Sequence, residues 1–453
     1  MKFRIEKDSL GEVKVPQKAL WGAQTQRALD NFTISGIKFA FPFGRSFIEA
    51  LGIIKYSAAA ANNKLKLLPT NKSNAIKSAS KDVLKGLYDD SFPLDVFQTG
   101  SGTSTNMNAN EVIANLASKK SKLKINSNDV IPTAICVSAL IDMNRLLLPN
   151  LDHLIKIIDI KMKQVKGNVK TGRTHLMDAM PIDFSQELSG WKAQLQANKK
   201  TIILATNRMN ELSQGGTAIG TGINSHKDFS KTFCSELNKL TKFKTKPSNN
   251  FYQGLSSVDN AVELSSAIKN LSVILMKISN DLRWMNSGPL TGLGEIELEA
   301  LQPGSSIMPG KVNPVIPEAV AMACADVIGN DVTITLAGQS GNFQLNVMLP
   351  VVAYNLLKSI NLLGNAMPLL ANKAIKTFKV NSKNINESLS KNPILVTALN
   401  REIGYFKASA IAKKAYEENK SIIDVAHKET GISKADLKKL LDPAKLTKGG
   451  ISE

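Results

Sequence analysis

The chain is 453 residues long, with 43% hydrophobic and 21% charged residues. This composition is typical of a globular protein of two or three domains, and it excludes a disordered chain, a collagen and a disulfide scaffold. The net charge is +19, but only eight of the 57 basic residues are arginines and the lysines are scattered along the chain. The charge therefore favours a lysine-rich surface over a nucleic-acid interface.

Cysteine usage and hydropathy suggest an intracellular protein. Cys136, Cys234 and Cys324 lie far apart and form no Cys/His pattern, which predicts neither a disulfide framework nor a zinc site. The N-terminus lacks the apolar stretch of a signal peptide, and no run approaches the ~20 apolar residues that a membrane span needs. We therefore predict a soluble, cytoplasmic protein.

In chain order, the patterns predict three domains. Residues 1–126 are mixed and mostly helical, residues 127–352 form a domain of long helices, and residues 353–453 form a small, lysine-rich helical domain. Strands and helices do not alternate, which disfavours a Rossmann or barrel fold.

Long helices dominate the predicted central domain. From Ala261 to Met285, apolar residues recur at alternating spacings of three and four, which is the seam of a helical bundle. Gly288-Pro289 is predicted to stop this helix. Further helices are predicted after Asp129, from about Asp183 to Gln214, and from near Pro317, with shorter ones beyond Pro350. Helices this long usually pack against copies from other subunits, so we predict a homo-oligomer.

The first of three polar loops spans residues 98–108, with the sequence QTGSGTSTNMN. Its hydroxyls, amides and glycine N–H groups directly precede a helix that is predicted to begin near Asn108. Such a segment can hold a carboxylate at a helix N-terminus, although a simple capped turn fits the pattern equally well.

The second loop, residues 171–176, contains His175, one of only four histidines. An imidazole in a polar turn can serve as an acid or a base. A structural histidine is the alternative.

The third loop, GSSIMPGKVNP at residues 304–314, interrupts two strong helices. It is one residue too long for a P-loop, and Val312 replaces the hydroxyl that would bind Mg²⁺. What remains is two hydroxyls, one ammonium and one amide, a set suited to a carboxylate substrate and its developing negative charge.

Together these segments resemble the fumarase/aspartase superfamily, whose signature loop matches residues 304–314 in full. The resemblance runs nearly end to end, through WGAQTQR (21–27), the 100–108 loop, GRTHL (172–176), GGTAIGTG (215–222) and VTALN (396–400). WGAQTQR and the MPGK of the signature loop are more similar to class II fumarases than to aspartases, and aspartate ammonia-lyase is the alternative. A non-catalytic basic scaffold for nucleic acid is the rival from another class.

The resemblance implies a mainly α, fumarase/aspartase-like fold of three domains. A central five-helix bundle would form the twenty-helix core of a homotetramer, with active sites shared among three subunits. The implied activity is fumarate hydratase, a tricarboxylic acid cycle step: reversible hydration of fumarate to (S)-malate by trans elimination and addition through an aci-carboxylate. It implies no metal, no organic cofactor, and no nucleic-acid or membrane partner.

The resemblance also assigns roles to residues. Ser305 would be the base, and His175, oriented by Glu318, would act through a water on the leaving hydroxyl, while Lys311 would stabilise negative charge. The implied substrate-binding residues are Ser101, Gly102, Thr103, Asn126, Ser127, Asn128, Thr174, Ser306, Lys311, Val312 and Asn313. The connection at 116–126 is shorter than in the family and contains no histidine, so we expect the family's second anion site to be absent in its usual form.

Overall fold

The computed structural model describes residues 2–38, 43–118 and 130–450, and α-helices make up most of them. The helices are α1 Ala23–Asn31, α2 Arg45–Lys64, α3 Thr70–Leu84, α4 Thr103–Ser118, α5 Val130–Asp142, α6 Leu148–Val165, α7 Phe184–Arg208, α8 Phe229–Thr241, α9 Phe251–Ser256, α10 Asp259–Met285, α11 Val315–Gln339, α12 Leu349–Leu370, α13 Ser382–Lys391, α14 Asn400–Ile403, α15 Tyr405–Glu417, α16 Ile422–Thr430, α17 Lys434–Leu440 and α18 Pro443–Leu446. Short 3₁₀ segments cover Asp89–Ser91 and Pro393–Leu399, and π-helical segments cover Met143–Leu147 and Ala371–Ile375.

The strands in the described ranges form only two-stranded sheets. They are β1 Phe3–Asp8 with β2 Gly11–Pro16, β3 Val169–Thr174 with β4 Met177–Asp183, β5 Glu211–Leu212 with β6 Lys246–Pro247, β7 Ile296–Glu297 with β10 Lys379–Val380, and β8 Gly341–Asn342 with β9 Leu345–Asn346. All pairs are antiparallel except β5 with β6. The predicted mainly α fold, without a Rossmann or barrel sheet, is confirmed.

The predicted seam of α10 is buried along its whole length. Each of its apolar positions is at most 3% exposed: Ala261, Leu264, Ile268, Leu271, Leu275, Ile278, Leu282 and Met285. The helix begins with an acidic residue, Asp259, in its first turn, which interacts favourably with the positive end of the helix dipole. It ends at Met285, just before the predicted stop at Gly288-Pro289.

Other predicted helix bounds differ from the structure. The helix expected to reach Gln214 ends at Arg208, because the following residues pair as β5 with β6. Helices do not shorten directly after Pro350, since α12 runs for 22 residues. A buried apolar face along α12 stabilises the helix, and its interior Pro368 stands only two residues before its end at Leu370.

The chain forms two compact units, each built from three separate segments. Unit 1 comprises Met1–Asn150, Asn198–Val273 and Met322–Asn365, and its buried side chains include Phe47 and Leu51 of α2. Unit 2 comprises Leu151–Ala197, Ile274–Ala321 and Ala366–Glu453. It contains the buried aromatics Phe184 and Trp191 of α7, and a separate small core formed by α13–α17. The division at 126 and 352 stays a prediction, and its second boundary lies inside α12.

Two helical segments are long and apolar enough to count as candidate membrane spans by composition. In Val130–Val165, 83% of the most apolar 18-residue stretch is buried, as in the core helix of a globular protein. In Val315–Gln339, only 33% of the corresponding stretch is buried. Within the latter helix, α11, Met322 is 68%, Val332 55% and Leu336 54% exposed. In a single chain, α11 therefore presents apolar surface to solvent.

Candidate active site

The first predicted loop is shorter than expected, because α4 begins at Thr103 in unit 1 and residues 103–108 are helical rather than part of the loop. Ser101 Oγ and Thr103 Oγ1 share a hydrogen bond of 2.7 Å, and Thr103 is the first residue of α4. Gln98 Oε1 accepts hydrogen bonds from the backbone N–H (3.0 Å) and the hydroxyl (2.7 Å) of Thr105, which ties the loop to the helix. The N-terminus of α4 thus presents hydroxyls and N–H groups together, the arrangement that binds an anionic group.

Two glycines make this loop conformation possible. A Cβ on Gly100 would lie 1.8 Å from the carbonyl oxygen of Val347, and the carbonyl of Gly100 accepts a hydrogen bond of 2.9 Å from Leu349 N–H. Gly102 has φ +71°, and a Cβ there would lie 2.9 Å from Ile131. Only glycine allows this close approach, so the predicted functional loop is also a packing element.

A cavity of about 740 Å³ lies beside this loop, and all of its lining residues belong to unit 1. Thr103 and Asn110 of α4, Lys55 of α2 and His226 contribute polar groups to the lining. Lys55 is only 7% exposed and donates a hydrogen bond of 2.7 Å to Asn106 Oδ1. The cavity therefore extends the polar surface at Thr103 with a buried ammonium.

The second loop is the turn of the β3–β4 hairpin in unit 2. Thr174 pairs with Met177, so His175 and Leu176 are the two turn residues. Their φ values are +57° and +61°, which is the left-handed geometry of a type I′ turn. The Thr174 and His175 side chains are exposed. The hairpin thus presents the imidazole at its tip.

The third loop, residues 304–314, also lies in unit 2. Ser305 Oγ accepts hydrogen bonds from the backbone N–H groups of Ile307 and Met308, both at 3.1 Å. The loop closes through Gly304 N–H donating to Lys311 O (2.9 Å) and Asn313 Nδ2 donating to Gly304 O (2.8 Å). Two N–H dipoles therefore point at the serine oxygen, an arrangement that stabilises negative charge on it.

The remaining residues of this loop present their polar groups outward. Ser306, Lys311 and Val312 are exposed, and Glu318 lies in the first turn of α11. Among the described residues, no hydrogen bond or ion pair joins the side chains of His175, Ser305, Lys311 and Glu318 to one another within one chain. The predicted orientation of His175 by Glu318 stays a prediction, and Asn126, Ser127 and Asn128 lie outside the described residues.

Metal and thiol chemistry have no obvious site in the described ranges. No group of three or more His, Cys, Asp or Glu side chains there is arranged to hold a metal ion. Cys136, Cys234 and Cys324 are free and buried, and burial raises the pKa of each thiol to about 12. These thiols are therefore protonated near neutral pH and are not nucleophiles.

Family models match most of the chain. The model described as Lyase matches residues 11–329, and the one described as Fumarase C C-terminus matches residues 395–448. A Xylella fastidiosa protein named fumarate hydratase class II is 54% identical over 99% of this chain and 96% of its own length. The Bacillus subtilis protein of the same name is 44% identical over 99% of each chain. The crystal structure of Schistosoma mansoni class II fumarase superposes with a TM-score of 0.94, at 34% identity over 99% of each chain.

The chain belongs to the class II fumarases of the fumarase/aspartase superfamily. The resemblance found in the sequence motifs is therefore confirmed, as is the preference for this family over the aspartases. Membership also accounts for the small C-terminal helical core, because the second family model covers most of it.

The structure also reveals polar residues that the motifs did not predict in this class II fumarase. Lys55 reaches Asn106, Glu111 caps a distant helix, and Lys170 pairs with Glu295. Each partner lies between 51 and 125 residues away in sequence. No local pattern marks such pairs, so the sequence alone did not predict them.

Proposed function

We propose that this chain catalyses the reversible dehydration of (S)-malate to fumarate, with Ser305 as the base. The observation that carries this assignment is the pair of N–H groups that point at Ser305 Oγ. A serine hydroxyl is a weak base, but its alkoxide becomes accessible where preorganised dipoles stabilise it. Removal of the C3 proton of malate by this oxygen would leave an aci-carboxylate dianion.

The charged carboxylate would be held by groups that surround Ser305 in the assembled site. Lys311 contributes a positive charge from the same loop as Ser305, and Asn313 is fixed by its hydrogen bond to Gly304 O. The other carboxylate-binding and positioning groups that we propose are Ser101, Gly102, Thr103, Asn126, Ser127, Asn128, Thr174, Ser306 and Val312. The net charge of +19 would also raise the encounter rate with a dianion.

His175 would act on the leaving hydroxyl through a water molecule. In this scheme, Glu318 accepts a hydrogen bond from one ring nitrogen, which fixes the tautomer and raises the basicity of the other nitrogen. Elimination then needs a base on one side of the substrate and an acid on the other, which suits the trans stereochemistry. The scheme needs no metal ion or organic cofactor.

Assembly into a homotetramer would complete the site. Exposed apolar residues on the long helices support association, because large apolar side chains exposed on a single chain are often buried at an interface. They include Leu204, Val273, Trp284, Met322, Val332 and Leu336. We propose that these helices form a twenty-helix core, that three subunits contribute to each active site, and that the enzyme works in the cytoplasm.

Parallel assays with malate, aspartate and argininosuccinate test the proposal, because all three eliminations yield fumarate and its ultraviolet absorbance. We expect turnover of malate alone. Ser305→Ala should keep its assembly state and lose more than nine-tenths of kcat, since a tenfold loss corresponds to only ~1.4 kcal/mol of barrier. Turnover of aspartate instead, or a variant that keeps more activity than this, would contradict the assignment.

A further inference from the structure

An ion cluster lies at the base of the hairpin that carries His175. Lys170 and Glu295 are each only 4% exposed, and Lys170 Nζ lies 2.7 Å from Glu295 Oε2. The same ammonium lies 2.7 Å from Glu187 Oε2, and Arg173 Nη1 lies 2.7 Å from Glu295 Oε1. The two oxygens of Glu295 thus bind two different cations of β3.

Lys170 and Arg173 reach the same carboxylate although they are three positions apart, a spacing that would place them on opposite faces of a regular strand. The pairing of β3 with β4 is irregular between them, because two residues of β4, Ala179 and Met180, lie opposite the single residue Gly172 of β3. A Cβ on Gly172 would lie 2.6 Å from Met180 O, so glycine allows this close approach of the two strands. The hairpin therefore departs from regular pairing at the place where the cluster forms.

Glu295 is held in place by its own backbone. Its N–H donates to Met285 O at the end of α10 (2.8 Å), and its carbonyl accepts from Asn381 N–H (2.8 Å). β7 begins at the next residue, and the chain reaches Ser305 ten residues after Glu295. The carboxylate therefore links a fixed point before the Ser305 loop to β3, the strand that ends one residue before His175.

Burial of such a cluster is expensive, and replacement of buried ion pairs by apolar groups is often neutral or stabilising. Fold stability alone is therefore a weak reason for it. Precise placement is a stronger one, because a displacement of about 1 Å in a reacting group costs roughly a hundredfold in rate.

We propose that Glu295, Lys170 and Arg173 form a positioning clamp that fixes the His175 hairpin in its reactive position. The clamp acts through Arg173, two residues before His175, and it does not touch the substrate. This inference rests on the proposed function, in which His175 is the acid/base group.

The test compares Arg173→Met, Arg173→Lys and Glu295→Gln with the matched control Glu187→Gln. Glu187 contacts Lys170 but not Arg173, so its substitution perturbs the cluster without releasing the hairpin. We expect kcat to fall roughly a hundredfold in Arg173→Met and in Glu295→Gln, with fumarate Kd within about threefold because binding is unchanged. Arg173→Lys, which keeps the charge, should recover most of kcat, and Glu187→Gln should stay near wild type.

Amide hydrogen exchange of residues 172–178 gives a second readout that needs no activity. Exchange there should speed up in Arg173→Met and not in Glu187→Gln. A wild-type kcat and unchanged exchange in Arg173→Met would overturn the clamp, as would equal losses in Arg173→Met and Glu187→Gln. Absence of malate turnover in the wild type would instead refute the proposed function, and exchange would still decide whether the clamp holds the hairpin.

Discussion

Glu111→Gln should destabilise the protein by removing a helix cap that comes from another helix. The helix α1 has Gly22 at its N-cap, no side-chain cap and no acidic residue in its first turn. Glu111 of α4 replaces that cap. Its carboxylate accepts hydrogen bonds from Gly22 N–H (2.8 Å), Gln24 N–H (2.9 Å), Thr25 N–H (3.2 Å) and the Thr25 hydroxyl (2.5 Å).

The expected loss of stability in Glu111→Gln follows from these contacts. Glutamine keeps one acceptor oxygen, so the three donors at Oε2 stay paired, while Gln24 N–H is exposed and can turn to water. The loss is therefore the difference between charged and neutral acceptors, about 1 kcal/mol or more. Removing an anion from a helix N-terminus adds roughly 0.3–1 kcal/mol. Together we expect a loss of about 2 kcal/mol in the free energy of unfolding.

Urea unfolding, followed by circular dichroism at equal protomer concentrations, measures this loss. Equal concentrations matter because oligomer stability depends on concentration. Thr25→Ser is the matched control, since it keeps the hydroxyl donor and should cost less than Glu111→Gln. A change below about 0.5 kcal/mol for Glu111→Gln, the range of ordinary surface substitutions, would refute the capping argument.

Further expectations concern three other positions. His175→Asn should lower kcat more than it weakens fumarate binding, and a rise in KM alone would contradict the acid/base role. Gly100→Ala should weaken substrate binding and raise the KM for malate, because the added Cβ would lie 1.8 Å from Val347 O and must displace the Ser101 loop. An unchanged KM would mean that the loop accommodates the Cβ. Burial raises the pKa of Asp142, although Ser46 and Asn361 donate hydrogen bonds to it. Its raised pKa contributes stability that is complete below about pH 4 and is lost as the pH rises through the folded value. Asp142→Asn should therefore gain stability relative to wild type between acid and neutral pH, and equal pH profiles in urea unfolding would argue against this.

Helices of this fold were predictable where one face repeats regularly. The seam of α10 runs unbroken from Ala261 to Met285, so local periodicity predicted the existence of this helix, and the Gly288-Pro289 pair predicted its approximate end. Predicted helix ends were wrong where tertiary contacts determine the end of a helix. The helix α7 ends six residues before Gln214, because Glu211 and Leu212 pair with a distant strand. The two units could not be predicted from contiguous patterns, because each combines segments that are far apart in sequence.

The candidate site shows the same limit. Clusters of glycine and hydroxyl residues predicted the positions of three turns, because turn formation depends on local sequence. Their extents were partly wrong, since residues 103–108 are helical and residues 171–174 belong to β3. The pairing of Glu295 with Lys170 and Arg173 was not predictable, since it joins residues more than 120 positions apart. Charge and spacing in the sequence do not show which residues of these two segments meet, and the irregular pairing of β3 with β4 near Gly172 is visible only in the structure.

The left-handed turn at the tip of the hairpin limits which substitutions of His175 are informative. Histidine and asparagine tolerate positive φ better than most residues with a Cβ, whereas β-branched residues strain such a turn. A His175→Val or His175→Thr variant would thus report on a distorted backbone as well as on a lost imidazole. Leu176 also has positive φ, and a substitution there tests the backbone of the turn instead of the imidazole. Leu176→Gly would relieve strain while leaving the imidazole intact, and it would separate the conformational cost of the turn from its chemistry.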